Sequence, residues 1–442
     1  MHIEIPTDIF TFPEIPMPAV WRVEQRNAIP ALTVERIKAD AKKAVEVLIA
    51  TKQLAVGSKV AVGVGSRGLD NLVLLVRSVV ETLRENGFAP FLVPAMGSHG
   101  GATAKGQEEL LHGYGVTPEA TRAELRATMD TKLIGNLEGE DAGPYAGQPV
   151  YCDLHAWNAD AILLINRIKA HTDFVGEIES GIAKMCAIGL GKRKGAESIH
   201  AFGAEGLRSL MPRIARYMAE HLPLLGGVAV LENALGQTCE LHPLPAHAVG
   251  REPETALLNR ARQIAPHLPF QQLDVLVIEE MGKNISGACM DTHVIGRGIM
   301  PSIPESGWDG PDVRLIAVLD LTESSHGNGA SLGLADLTTE KLIEKMNFEE
   351  TIINMRTSGE GGIMRARMPV ILPDGKACVQ TAMATCGRAR PSQVRLARIK
   401  NTADIRYLEI SEPVLEEALQ NPDLIVEKEG HILDLERSVA AG

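Results

Sequence analysis

Paired cysteines are missing from this chain. Its six cysteines, Cys152, Cys186, Cys239, Cys289, Cys378 and Cys386, are scattered with no C-x-x-C among them, so the sequence writes neither a disulfide framework nor a zinc knuckle. They read as reduced thiols, mostly small buried apolar residues. No stretch reaches the roughly 18 consecutive apolar residues of a membrane span. The opening Met-His-Ile-Glu-Ile-Pro-Thr-Asp lacks the basic and apolar regions of a secretory leader, and the expected location is cytoplasmic. An excess of positive charge is missing too: 44 Lys+Arg against 56 Asp+Glu leave a formal charge of −12. That balance argues against nucleic acid or an anionic membrane as partner, since either needs a basic face to displace counterions. An anionic small molecule must then meet locally concentrated cations.

What is present is an ordinary globular composition, 45% hydrophobic and 23% charged over 442 residues, enough for two or three domains at roughly 150 residues each. Residues 58–64 form a β-branched run, 70–86 carry apolar positions at helical spacing, and 88–95 are apolar again, which predicts strand, helix, strand. The alternation recurs with a strand over 159–166, helices over about 178–190 and 201–221, and a strand over 227–232. Such alternation implies a mostly parallel sheet covered by helices. A Pro-punctuated helix from Glu252 to about Ala265 leads to a fresh strand over 273–279. Beyond it come a strand over 314–320, a helix over 339–346, a Gly/Arg-rich passage over 357–367 and a last helix near 412–418. The fold class expected is α/β in two domains: a larger one over 1–268, and a smaller one over 269–442 whose last helix could return to the first. The active site is expected in the cleft between them.

Three glycine-rich or basic loops follow the predicted strands of the first domain. Gly63-Val-Gly65-Ser66-Arg67-Gly68 sits between strand and helix, as a dinucleotide fingerprint would. The second strand, however, ends in Val93-Pro-Ala-Met96 without the acidic residue that holds a ribose. A glycine-rich turn explains the motif equally well, and Arg67 offers a fixed fork to a carboxylate or phosphate. Gly97-Ser98-His99-Gly100-Gly101 places a histidine between glycines at the carboxyl edge of the sheet, where ligands of open α/β folds collect. The densest cluster runs from Asn166-Arg167-Ile-Lys169-Ala-His171 through Glu179-Ser180-Gly181 and Lys184 to Gly191-Lys192 and His200. It gathers cations on an acidic protein. A P-loop reading fails because Cys186 and Arg193 stand where Gly and Ser or Thr are needed. His171 and His200 lack zincin spacing, although one imidazole could complete a metal whose other ligands belong to a cofactor. In the second domain, Lys283 and Arg297 flank a polar loop with Asp291 and His293 and are candidate substrate clamps.

Taken together, Gly97-Ser-His99-Gly-Gly-Ala-Thr103, the stretch from Arg167-Ile-Lys-Ala-His171 to Lys184, and His200 resemble the lactate racemase family, the 2-hydroxyacid racemases and epimerases that use a nickel-pincer nucleotide. The likeness is strongest over about 60–205 and 282–297. It implies a pyridinium-3-thioamide-5-thiocarboxylic acid mononucleotide whose nickel is completed by one protein imidazole, matched by His200. Lys184 matches the lysine that joins the cofactor in some members. The loops with Ser66, Ser98, Gly100, Gly101, Ser180, Gly181 and Lys192 match its phosphate-binding surroundings. His99 and His171 match the paired acid/base histidines, Arg67 matches the arginine that holds the substrate carboxylate, and Arg297 falls near a substrate-binding lysine. The implied partners are a 2-hydroxy acid and the enzymes that make and load the cofactor; the oligomeric state stays open. The implied reaction runs through a 2-oxo acid by reversible hydride transfer, which avoids abstracting a weakly acidic C–H with no Mg2+-binding carboxylate cluster to stabilise an enediolate. Two other readings remain: an NAD-dependent 2-hydroxyacid dehydrogenase, on Gly63, Gly65 and Gly68, and a non-catalytic cofactor carrier that keeps Lys184.

Overall fold

A computed structural model describes residues 15–26, 29–66, 68–298 and 310–440. The fold is α/β, and the chain divides into two compact units.

The first unit comprises Ile29–His171 and Val175–Ala265. Its sheet has the order Ala89–Pro94, Lys59–Val64, Ala161–Arg167, Leu224–Glu232, Thr238–Pro245, parallel except for the last strand. The β-branched and Leu-rich runs that marked these strands are buried on both faces, as a helix-covered parallel sheet requires. Helices Val34–Ile49 and Leu72–Glu85 turn Ala41, Val45, Leu48, Leu75, Val76 and Val79 onto one side of the sheet. The Thr238–Pro245 strand and the Val34–Ile49 helix, which buries Ile37, Ala41, Ala44, Val45 and Leu48 at helical spacing behind a Thr33 cap, add to the elements predicted from sequence.

The second unit holds Thr172–Phe174 and the chain from Pro266 onward, together with residues before Ile29. Five parallel strands, Val370–Leu372, Leu337–Thr339, Asp312–Val318, Gln272–Ile278 and Leu396–Asn401, lead into antiparallel Asp404–Ser411, Ala19–Gln25 and Leu424–Val426. The Ala19–Gln25 strand, grouped from sequence with the first domain, therefore belongs to this sheet. Its partners on both sides lie about 400 residues away, and pairing at that separation leaves no local mark. The helix Glu412–Gln420 lies against strands of this same sheet, and part of the Gly/Arg-rich passage forms the helix Gly359–Met364.

All six cysteines are free and buried. Burial pushes the Cys378 thiol up to about 12 and the Cys239 and Cys289 thiols up to about 11, so they stay protonated and act as small apolar residues. No helix among the described residues is long and apolar enough to cross a membrane.

One buried carboxylate sets an acid limit on the second unit. Asp274 takes the Arg388 Nε–H at 2.8 Å and the Arg395 backbone N–H at 2.9 Å, with Arg314 at 3.4 Å. Burial works to raise its pKa, but these donors outweigh it and hold the carboxyl below its ordinary value. Such a group stabilises the fold above its unfolded pKa and loses that contribution as pH falls through its folded pKa. Asp274→Asn is expected to cost about 1–3 kcal/mol in urea unfolding at neutral pH. The gap to the parent should shrink as pH falls below about 4, and a gap undiminished at lower pH would refute the assignment.

Candidate functional site

In the first unit, Val64 pairs in register with Pro94 on one side and Ile165 on the other. The loop that starts at Gly65 therefore lies between the loop that starts at Ala95 and the one that starts at Ile168. The two outer strands are two sheet spacings apart, about 10 Å. This is the carboxyl edge of the parallel strands, and it carries the His99 and His171 loops on either side of Ser66.

The fingerprint glycines serve packing. A Cβ on Gly63 would strike the Leu164 side chain at 2.5 Å, one on Gly65 would come 3.3 Å from Met185 Sδ, and one on Gly68 would come 3.2 Å from the Tyr114 ring. Ser66 is half-buried, and its hydroxyl lies 2.5 Å from His99 Nδ1. Ser98 and His99 are exposed. Gly100, at φ +66°, packs on the first turn of helix Ala104–Gly113, where a Cβ would meet the Gly106 backbone at 2.5 Å; Gly101 faces open space. The helix is capped by the Thr103 hydroxyl, which accepts from Gly106 N–H at 3.0 Å, leaving His99 out of the cap.

His171 sits in a loop wound around one buried carboxylate. Glu179, 1% exposed, accepts the His171 backbone N–H at 2.6 Å and that of Gly176 at 2.9 Å, and pairs with Arg262. Lys169 N–H donates to the Ser180 carbonyl at 3.2 Å and closes the neck of the loop. Arg167, part of the expected cationic cluster, is paired with Glu232.

The helix foreseen over 178–190 begins later, as a short turn Ile182–Lys184 that passes into one π-helical stretch, Met185–Leu190. Such stretches concentrate at functional sites. It crosses the ends of the 59–64 and 89–94 strands: Gly65 faces Met185, and Gly97 N–H donates to the Gly189 carbonyl at 3.2 Å. Lys184 is half-buried at its start. Beneath that turn lies Glu254, 1% exposed, which accepts Ala183 N–H at 2.9 Å and Gly250 N–H at 2.8 Å. Burial raises its pKa. The amides at this helix start thus face a protein carboxylate, and the Gly181 carbonyl accepts from Asn166 at 2.8 Å. Ser180 and Gly181, expected around a phosphate, lend their backbone carbonyls to the loop.

Lys192 corrects the sequence reading most sharply. It is 0% exposed, lies 3.0 Å from Asp153 Oδ2, and donates to Gln107 Oε1 at 2.9 Å and to the Pro94 carbonyl. Burial lowers its pKa, against the pull of Asp153. A buried ammonium surrounded in this way is a strut of the fold with no proton left for a phosphate. Lys192 also stands at φ +53°, a sharp turn in the chain. The helix Lys192–His200 follows it and ends on exposed His200.

Arg67 lies outside the described residues. In the second unit, Arg297 spends its guanidinium on the Leu334 and Arg314 carbonyls, at 2.8 and 2.9 Å, and on Asp336. Lys283 Nζ donates to the Gly287 carbonyl at 2.6 Å, and the Asp291 carboxylate accepts His293 N–H at 3.0 Å to cap a helical turn. Lys283 and Asp291 are engaged within the loop and Arg297 by groups beyond it, and a clamp role for Arg297 would have to displace those partners. No group of three His, Cys, Asp or Glu side chains at metal-binding distance occurs among the described residues.

Sequence reasoning missed Gln107, Asp153, Glu254 and Arg262, and named Glu179 only as a member of the cluster; all five support the loops. Only the Pro-led start of helix Glu252–Ile264 hinted at two of them. No known family's profile and no curated protein matches the chain. Among solved structures, a Thermotoga maritima protein shares 15% identity with a TM-score of 0.46, over 65% of this chain and 70% of that one.

Proposed function

We propose that this protein is a racemase or epimerase of a 2-hydroxy acid, working in the cytosol with a nickel-pincer nucleotide. The observation that carries the reading is the contact of His99 Nδ1 with Ser66 Oγ, 2.5 Å, at a sheet edge flanked on its other side by the His171 loop. With Nδ1 engaged by Ser66, the proton that His99 takes from or returns to a substrate hydroxyl is the one at Nε2. His171 does the same from the other side, and a racemase needs one such group for each enantiomer.

The residues fit the cofactor in part. In this reading Lys184, half-buried beside a π-helical stretch, supplies the attachment point, and His200, exposed at a helix end, supplies the imidazole. In a straight helix, 16 residues would separate them by about 24 Å; the turn at Lys192 breaks that line. Ser98 and the Gly100-Gly101 backbone are the phosphate-facing groups of the proposal, with Lys192 removed from it. When bound, the group supplies a hydride acceptor. The chain's own part is to hold the substrate, with Arg67 on its carboxylate, and to move the hydroxyl proton.

The test uses protein made together with the cofactor-synthesis enzymes. Mass spectrometry and metal analysis are expected to find the nucleotide and nickel, and enantiopure 2-hydroxy acids, sugar acids included, are expected to lose chirality without net oxidation. No nickel and no nucleotide would overturn the proposal.

A further inference from the structure

Behind the His99 loop, a chain of buried polar groups runs from one element to the next. Asp153, 0% exposed, caps the turn Leu154–Trp157 by accepting Ala156 N–H at 2.9 Å with one oxygen and faces Lys192 with the other. Lys192 passes the connection to Gln107 Oε1, and Gln107, also 0% exposed, donates through Nε2 to the Gly97 carbonyl at 2.9 Å and the His99 carbonyl at 3.2 Å. We propose that Gln107, oriented by the Asp153–Lys192 pair, is a positioning residue that fixes the backbone on both sides of Ser98 and so aims the His99 imidazole at Ser66.

The chemistry of the carboxamide explains why glutamine stands here. The site needs one acceptor, for an ammonium, and two donors, for two carbonyls, and an amide supplies both at one end of a side chain. Asp153 prevents the opposite arrangement: an ammonium held by a carboxylate keeps its protons for Gln107 Oε1 and Pro94, which leaves the Gln107 NH2 to face the loop. Lys192 also begins the helix that ends on His200, so the same strut sets the start of that helix against the end of the 89–94 strand through the Pro94 carbonyl. The catalytic consequence rests on reading His99 as a proton-transferring group; the positioning itself does not.

Amide hydrogen exchange and NMR of His99 test the two separately. In Gln107→Glu, the carboxylate still accepts from Lys192 but cannot donate, so the loop loses two bonds while the ion pair stays. The amides of His99, Ala102 and Thr103, bonded to the Met96, Ser98 and Gly100 carbonyls, are expected to exchange about tenfold faster or more. The His99 ring resonances are expected to shift or broaden, and amides of the 59–64 and 161–167 strands to keep their rates. A merely structural loss would speed all of these together. Unchanged loop amides and His99 signals in folded Gln107→Glu, or a uniform rise across the unit, would overturn the proposal. If the variant does not fold, the parent decides: the Gln107 carboxamide protons should exchange far more slowly than those of exposed glutamines, and exchange at the exposed rate would overturn it. Once turnover of a 2-hydroxy acid is in hand, Gln107→Glu should lower kcat with little change in KM. Absent turnover in the parent would count against the racemase reading and leave the exchange result standing.

Discussion

Lys192→Met is expected to destabilise the first unit by about 3–5 kcal/mol, the cost of leaving a buried charge without its partner. Asp153 is 0% exposed and Gln107 is 0% exposed, so water cannot replace the ammonium. Asp153 would have to take up a proton or break its cap on Leu154–Trp157, and Gln107 Oε1 would lose its donor. A lysine whose work was to bind a phosphate would behave differently: its loss would weaken cofactor binding and leave unfolding in urea unchanged. The double variant Asp153→Asn, Lys192→Met removes both charges and should recover a good part of the lost stability, because neutral groups of similar volume tolerate burial better than one orphaned ion. Lys192→Met within about 0.5 kcal/mol of the parent, the range of ordinary surface substitutions, would return Lys192 to the list of ligand contacts.

Lys192 also shows where a sequence stops being readable. Its neighbours, Gly191 and Arg193, carry no sign of burial, and its hydrogen-bonding partners Gln107 and Pro94 lie 85 and 98 residues away. In local context it is a lysine in a Gly/Lys-rich run, which reads as a phosphate loop. The parallel strands were legible because burial on both faces demands continuous β-branched runs, as in Lys59–Val64 and Ala161–Arg167. The glycine-flanked histidine was legible for a similar reason: Gly97 and Gly100 at positive φ, with backbone packed against them, leave no room for other residues. The start of the 182–190 helical run was misjudged because the preceding loop, from Ile168 to Gly181, is shaped by Glu179 and its distant partner Arg262, with no turn signature of its own. Arg297 illustrates the converse. A cation in a polar loop suggests a clamp, yet the carbonyls that engage it are 17 and 37 residues further along the chain.

The three histidines should separate by what their removal takes away. His200 is exposed at the end of its helix, so His200→Ala is expected to stay within about 0.5 kcal/mol of the parent in stability. If its imidazole is the one protein ligand to nickel, the variant, loaded in the same cells, should retain little or no metal. His99→Ala and His171→Ala should keep the metal and lose turnover by about a hundredfold to ten-thousandfold, the span that positioned acid/base groups contribute. The two need not fall equally. His99 is held through its ring by Ser66 and through its carbonyl by Gln107, whereas His171 is held through its backbone N–H by Glu179. With the L-acid and the D-acid tested apart, washout of the C2 hydrogen, or its transfer to the opposite face, measures which histidine serves which enantiomer. Ser66→Ala, which leaves the His99 ring in place without its Nδ1 partner, should fall between the parent and His99→Ala. Nickel kept at full occupancy in His200→Ala would remove that imidazole from the metal. Turnover kept in both His99→Ala and His171→Ala would remove proton transfer from this sheet edge altogether.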